Sequence, residues 1–432
     1  MERIRSHELI LYRNFKETIF QDMALVANNY DRPDADKGEL VDKLYRCIND
    51  IVTIARSHGF HGNLWHGYLT HLLTTNENAF SMSCEKVGAI EGSLNELALH
   101  DLRIFKEAYQ MDWDAVEKAF GVHFISMIRD FKAADDRAAI YGSRLRESIC
   151  ELNGALGGAE NVHQMYDALT GFYKAYGVGK FGLHRAFKLV EDNGTVGIAP
   201  ITRTDPVLLE DLVGYEIQKK KLTGNTQALI NGYKANNVLL YGDSGTGKST
   251  SIKAILNEYY KDGLRMIEIY KHQFKYISDV LAQIKNRNYK FILYMDDLSF
   301  EEFEIEYKYL KAIIEGGLET KPDNVVIYAT SNRRHIIKET WADRKQAVDD
   351  VHGGDSMQER LSLSTRFGET IYYGAPNQKE YLEITKVLAK RYHITVSEEE
   401  VAAEALKWEL SHGGRSGRTA QQFIYHLAGL HR

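Results

Sequence analysis

The run of residues GDSGTGKS, from Gly242 to Ser249, constrains the fold of this chain more than any other feature. An apolar segment, Val238 to Tyr241, precedes it, and a helical pattern follows. Glycines at this spacing let backbone N–H groups surround a phosphate at a helix N-terminus, where the lysine reaches the outer phosphate oxygens and the serine hydroxyl faces Mg²⁺. The sequence therefore predicts a P-loop, or Walker A motif, with the phosphate-binding residues Gly242, Asp243, Ser244, Gly245, Thr246, Gly247, Lys248, Ser249 and Thr250.

The chain after Pro206 alternates between apolar strand-like segments and helical patterns, which is typical of a parallel α/β sheet. Strand-like segments occupy residues 238–241, 266–269, 291–295 and 325–329, and a helix is expected over residues 248–260. Past Pro376 the pattern is helical only, and the capping box Ser397-x-x-Glu400 opens one of the helices. We expect an α/β core over residues 206–375 and a helical lid over residues 376–432.

The first 188 residues have apolar positions at helical spacing, for example Leu94, Leu97, Leu102 and Phe105, and predict a mostly helical N-terminal domain. Asn193-Gly194 lies between two apolar runs and is a typical two-residue hairpin turn. Residues 189–205 are therefore interpreted as a hairpin and connector.

Composition excludes several classes of protein. The apolar stretches are far shorter than the roughly 20 residues that a membrane helix needs. Three cysteines form no even framework, which suits a reducing, cytoplasmic compartment. Residues 1–200 carry 22 basic and 28 acidic residues and the remainder carries 32 of each, so neither half has the basic excess of a typical nucleic-acid-binding protein. We expect no membrane span, and a protein client rather than nucleic acid.

Two further segments place polar side chains at strand ends. Asp296 and Asp297 follow the apolar strand 291–295, which is the form of a Walker B motif, and Asp296 would hold Mg²⁺ with Ser249, directly or through water. Asn332 ends the strand after Asn324 and is placed to orient an attacking water. Each segment alone also fits an ordinary turn after a buried strand, but their occurrence together with a P-loop favours a nucleotide site.

The chain contains, in this order, Leu212-Val213-Gly214, the P-loop, the Walker B aspartates, Asn332, Arg366-Phe367-Gly368 and the arginines after Gly414. This order resembles an AAA+ ATPase over residues 205–432. A narrower resemblance rests on the shorter runs Asn225-Thr226, 235–242, 296–301, 328–335 and 361–364. These runs are similar to the bacterial predicted-ATPase family filed as domain of unknown function 815.

The resemblance implies an AAA+ α/β core with a C-terminal lid, ATP and Mg²⁺ as ligands, and an adenine pocket that includes Leu212, Val213 and Gly214. Arg366 matches a trans-acting arginine finger, which implies homo-oligomers, as rings, through the ATPase core. Arg418 matches the sensor 2 position better than Arg415. The alternatives are a plain turn at Leu212 to Gly214 and surface charge at the arginines.

One position departs from the usual pattern, in which Glu follows the Walker B Asp. Here the residue is Asp297, one methylene shorter. The general base that activates water for ATP hydrolysis is therefore Asp297 or Glu301, which follows at the start of the next helix. Both residues belong to the segment that resembles the family, so the resemblance does not decide between them.

The first functional hypothesis is an Mg²⁺-dependent AAA+ ATPase that remodels or moves a client. Asp297 motivates a second, a nucleotide-dependent assembly switch or scaffold with slow or no hydrolysis. A third, a nucleic-acid loader or motor, is disfavoured by the acidic N-terminal half.

Overall fold

The computed structural model describes residues 4–15, 17–89, 91–132, 143–192, 194–300, 304–315, 321–333 and 366–430. The chain divides into two compact units, Met1–His184 and Arg185–Arg432. In the described residues of both units, no helix has the length and apolar character that crossing a membrane requires.

The first unit is helical, as the periodicity predicts. Leu102 and Phe105 are buried in a core of aromatic and aliphatic side chains that includes Trp65 and Phe20. The helices within its described residues are α1 (Ile19–Asn29), α2 (Lys37–His58), α3 (Leu64–Thr75), α4 (Ala79–Val87), α5 (Ser93–Tyr109), α6 (Trp113–Phe120), α7 (Ile125–Arg129), α8 (Ser143–Gly157), α9 (Val162–Tyr176) and α10 (Gly179–Leu183).

A buried carboxylate anchors the N-terminal segment to this core. Asp101 of α5 is fully buried and accepts hydrogen bonds from the backbone N–H groups of Ile10, Leu11 and Tyr12, the shortest at 2.7 Å from Leu11. Because a buried charge is stable only when it is hydrogen-bonded, this contact holds the segment before α1 in place.

The second unit contains a seven-stranded sheet. Its order is β2-β1-β4-β5-β6-β3-β7, and every neighbouring pair is parallel except β1 and β2. All seven residues of β6 are buried, as expected for a parallel strand covered on both faces. The strands are β1 (Ala186–Asp192), β2 (Thr195–Pro200), β3 (Val238–Gly242), β4 (Leu264–Glu268), β5 (Lys290–Met295), β6 (Val325–Ser331) and β7 (Glu369–Tyr373).

The hairpin of β1 and β2 belongs to this sheet. We expected a hairpin and connector over residues 189–205, but β1 begins at Ala186 and pairs in parallel with β4 through Ala186, Phe187 and Lys188. The hairpin therefore extends the edge of the core sheet and is not a separate connector. The register pairs Asp192 with Thr195, as a two-residue turn requires.

Seven described helices accompany the sheet. Phe423 and Ile424 centre a separate small core that the last three helices share, so these helices form the lid. The predicted capping box at Ser397 is present, with the Ser397 hydroxyl accepting from the Glu400 N–H at 3.3 Å. The helices are α11 (Glu216–Ile230), α12 (Lys248–Tyr259), α13 (Ile277–Ile284), α14 (Ile305–Glu315), α15 (Gln378–Arg391), α16 (Glu398–Ser411) and α17 (Gly417–Leu430).

The predicted fold class is thus confirmed as an α/β core, built on a largely parallel sheet, with a helical lid and a mostly helical region before it. Because β3, β5 and β6 are parallel neighbours in one sheet, their carboxyl ends meet at one edge. The P-loop, the two aspartates and Asn332 leave the sheet at this edge.

Candidate nucleotide-binding site

A cleft of about 680 Å³ lies between the sheet edge and the lid. Its wall includes most of the residues predicted from the sequence: Leu212, Val213, Ser244, Gly245, Thr246, Gly247, Lys248, Ser249, Thr250, Asp296, Asp297, Asn332 and Arg418. Gly214, Gly242 and Asp243 are described but do not line the cleft. Glu301 lies outside the described residues.

The backbone around the P-loop excludes side chains at its glycines. Gly242 has φ of +130°, and a Cβ atom there would lie 2.1 Å from the carbonyl oxygen of Tyr373 on β7. Gly245 has φ of +75°, and a Cβ atom there would lie 2.9 Å from the hydroxyl of Ser416 in the lid. The loop can therefore pass close to both the sheet and the lid only with glycine, and it leads directly into the N-terminus of α12, where backbone N–H groups favour an anion.

Lys248 is the cation at the centre of the loop. Its side chain is nearly buried, and Nζ donates to the carbonyl oxygens of Gly242 at 2.9 Å and Asp243 at 2.6 Å. A third contact joins Nζ to Oδ1 of Asn332 at 3.1 Å. Burial lowers the pKa of Lys248, and the carboxylates of Asp243, Asp297 and Asp296 act in the opposite direction. The ammonium group is thus held in place by oxygen acceptors.

Ser249 and Asp296 form the predicted metal pair. The Ser249 hydroxyl donates to Oδ1 of Asp296 at 2.7 Å. Partial burial would raise the pKa of Asp296, but hydrogen bonds from Thr330 and Ser249 outweigh it and hold the pKa below its ordinary value. An ionised carboxylate and a hydroxyl at the cleft wall are hard oxygen donors, so this pair fits Mg²⁺, which combines few protein ligands with water and phosphate oxygens.

Asp297 and Asn332 face each other across the same edge. The Asn332 amide donates to Oδ1 of Asp297 at 2.8 Å, so Asn332 bridges Lys248 and Asp297. Asp297 has φ of +51°, a left-handed conformation that asparagine and aspartate adopt more readily than most other residues. Such a conformation costs roughly 1–3 kcal/mol and needs support from its surroundings.

The other end of the cleft is apolar. Leu212 is nearly buried there, and Val213 packs against the lid core. Ile384 and Leu388 from α15, together with Tyr392, complete this part of the wall. Apolar surfaces of this kind can enclose a nucleotide base.

The two lid arginines occupy different environments. Arg415 donates through Nε to Glu409, a buried carboxylate of α16, at 2.7 Å. Arg418 lines the cleft, and its backbone N–H donates to the carbonyl oxygen of Gly245 at 3.2 Å. Arg366 is exposed at the start of the segment before β7 and does not line the cleft.

Sequence reasoning missed several residues in the cleft wall and next to it. Thr330, two positions before Asn332, contacts both aspartates, and a polar side chain in an apolar strand was an available signal. The buried Tyr294 lies beside the metal pair: burial, followed by the charge of Asp296, raises the pKa of its hydroxyl. The lid contacts at Ile384, Leu388 and Tyr392 left no local signal, since they depend on how the lid folds back.

No curated protein matches this sequence. Among solved structures, the Thermotoga maritima RuvB Holliday junction branch migration motor is similar at 17% identity and a TM-score of 0.35, covering 50% of this chain and 63% of that chain. A single-residue variant of the same motor is similar at 17% identity and a TM-score of 0.36, covering 50% and 64%. This chain thus spans less than two thirds of either.

The family described as "Protein of unknown function (DUF815)" matches residues 183–431, which is more than half of the chain and contains the whole cleft. This P-loop chain therefore belongs to the DUF815 family.

Proposed function

We propose that this protein binds ATP with Mg²⁺ in the cleft and hydrolyses it, as an oligomer, to remodel or move a protein client. One observation carries the proposal: Lys248, Asn332 and Asp297 form a continuous hydrogen-bonded chain beside the Ser249–Asp296 pair. The residues that we propose as the phosphate-binding cation, the metal ligands and the general base thus lie within one cleft.

In this proposal, the triphosphate of ATP lies on the N-terminus of α12, and the adenine ring occupies the apolar end of the cleft beside Leu212 and Val213. Lys248 has three N–H donors, and three acceptors already contact its Nζ. A phosphate oxygen must replace one of them. Exchange at Asn332 would keep both P-loop bonds and release the Asn332 carbonyl oxygen to orient the attacking water.

Ser249 and Asp296 would hold Mg²⁺, whose charge neutralises the phosphate oxygens as the transferred group separates. Asp297, whose carboxylate accepts a hydrogen bond from Asn332, would accept a proton from the attacking water. Arg418 would contact the phosphates from the lid, so that hydrolysis changes how the lid rests on the core. In this proposal, the helical N-terminal unit binds the client.

The concentration dependence of ATP hydrolysis tests this proposal. Because Arg366 lies outside the cleft wall of its own subunit, we expect the rate per subunit with Mg²⁺ to rise with protein concentration and then saturate. The measurement is phosphate release over a wide concentration range without client. A rate near background at every concentration, without measurable ATP binding, would reject the proposal.

The identity of the base is tested by paired substitutions. Asp297→Asn keeps the size of the side chain and tolerates the positive φ, so the fold should persist while kcat falls about 100-fold or more. Glu301→Gln should have a smaller effect if Asp297 is the base, and the larger effect if Glu301 is. Measured turnover and ATP affinity for both variants decide; full activity in both would remove both residues from this role.

Paired substitutions also distinguish the roles of the two lid arginines. Arg418→Ala should lower kcat by at least about 10-fold and leave the melting temperature unchanged, because the residue is exposed at the cleft. Arg415→Ala should instead lower the melting temperature, because it leaves the buried Glu409 without its cation. Thermal unfolding and turnover of both variants check this. The reverse result would assign sensor 2 to Arg415.

A second candidate function is the nucleotide-dependent assembly switch. It is favoured by the side chain of Asp297, which is one methylene shorter than the glutamate usual at this position. Its shorter side chain is already bonded to Asn332, which limits its reach toward a water. Tight ATP binding and ATP-dependent assembly without turnover would support the switch.

A further inference from the structure

We propose that Thr330 is a positioning residue that couples the metal pair to the orientation of Asp297. The inference rests on the proposed ATPase function and extends it, since it says that loading of the metal site and placement of the candidate base are not independent. Thr330 lies on β6, between the two aspartates that follow β5.

The Thr330 hydroxyl acts as a hydrogen-bond donor to one aspartate and as an acceptor from the other. It donates its proton to Oδ1 of Asp296 at 2.6 Å and accepts from the backbone N–H of Asp297 at 2.9 Å. Only 2% of the residue is exposed, so water does not compete freely for these bonds. Because a hydroxyl has one proton, its direction is fixed by these two neighbours.

At Asp296, the hydroxyl helps to set the metal pair. Oδ1 accepts from both Thr330 and Ser249, at 2.6 and 2.7 Å, and these two bonds restrict the rotation of the carboxylate. Loss of the Thr330 bond leaves Asp296 freer to rotate, and metal affinity then falls, as is common when a residue that orients a ligand is removed.

At Asp297, the same hydroxyl supports an unfavourable backbone conformation. The bond to the Asp297 N–H and the bond from the Leu298 N–H to the Thr330 carbonyl oxygen, at 2.7 Å, hold the turn on β6. The positive φ then directs the Asp297 carboxylate to Asn332. A single side chain thus links Asp296 to the residue that is proposed to accept the proton.

The neighbouring Ser331 provides a matched control. Its hydroxyl is equally buried and donates to the carbonyl oxygen of Leu298 at 2.7 Å, so it supports the same turn. It is not hydrogen-bonded to either carboxylate in the described residues. Ser331→Ala therefore removes a similarly buried hydrogen bond to the same turn, and Asp296 stays hydrogen-bonded to Thr330.

The experiment compares Thr330→Val, Thr330→Ser and Ser331→Ala with the unmodified full chain. Binding of a fluorescent non-hydrolysable ATP analogue is titrated with Mg²⁺, and kcat and the melting temperature are measured alongside. For Thr330→Val we expect the Mg²⁺ concentration at half-saturation to rise about 10-fold, together with a fall in kcat. Thr330→Ser should restore both, and Ser331→Ala should leave the Mg²⁺ half-saturation unchanged whatever its effect on melting.

An unchanged Mg²⁺ half-saturation in Thr330→Val, or an equal shift in Ser331→Ala, would overturn the coupling. If Thr330→Val does not fold, Thr330→Ala removes the hydroxyl without adding a methyl group and is judged by the same titration. Failure of the proposed function looks different, because the unmodified protein would then show no Mg²⁺-dependent binding of the analogue at all.

Discussion

Lys248→Ala is expected to lower the affinity for ATP at least about 100-fold and to reduce turnover to background. The ammonium group is nearly buried at the centre of the P-loop and is directed by the carbonyl oxygens of Gly242 and Asp243. Charge-assisted hydrogen bonds in such a site contribute roughly 1.5–3 kcal/mol each, and about 1.4 kcal/mol corresponds to a tenfold change in affinity. Loss of one or two contacts to phosphate accounts for this expected effect.

Equilibrium binding of ATP and phosphate release measure the effect of Lys248→Ala. Lys261→Ala is the matched control, because Lys261 is exposed just beyond the end of α12 and does not line the cleft. The melting temperature is needed as well, since the substitution leaves two P-loop carbonyl groups without their donor. Normal turnover in a folded Lys248→Ala variant would contradict the P-loop assignment.

Arg366→Ala is expected to lower kcat by roughly 1000-fold without weakening ATP binding. The proposed reason is that the guanidinium group stabilises charge on the γ-phosphate in the site of a neighbouring subunit, a contribution that reaches 10³–10⁵ in other phosphoryl-transfer enzymes. Arg366 is exposed and lies outside the cleft of its own subunit, which agrees with action in trans. It immediately precedes the buried Phe367 and strand β7, which anchor its backbone.

A mixing experiment separates action in trans from a local effect of Arg366→Ala. When the variant is added to the unmodified protein at constant total concentration, each mixed oligomer contains incomplete sites, so the rate should fall more steeply than the fraction of unmodified subunits. Arg203→Ala, at an exposed arginine of the same unit that does not line the cleft, serves as the control. A rate proportional to the unmodified fraction would remove the trans assignment.

Most of the fold could be predicted from the sequence because its signals are local. The apolar runs at 238–241 and 291–295 coincide with β3 and β5, and the capping box at Ser397 marks the start of α16. The attachment of the hairpin to β4 could not be read in this way. It depends on pairing between segments about eighty residues apart, for which the hairpin turn contains no information.

The sequence could predict those site residues whose proposed role requires a particular residue type at a fixed position in a motif. The P-loop and Asp296 meet this condition, and the structure brings them together with Asn332. Thr330 was missed because its role comes from hydrogen bonds to the next strand of the sheet. Arg415 lies just before α17 and Arg418 lies in its first turn, and their different contacts depend on the tertiary structure.

The sequence by itself therefore determined that this protein has a P-loop at a strand-to-helix junction, two carboxylates after a buried strand, and a helical lid. These features follow from residue type and spacing along the chain, which decide local backbone conformation and which side chains can bind phosphate or metal. Only the tertiary structure decided which arginine faces the cleft, that Asn332 joins Lys248 to Asp297, and that Thr330 joins the two aspartates. Such contacts arise when parallel strands place their carboxyl ends side by side, and their energies depend on distances of a few ångströms between residues remote in sequence.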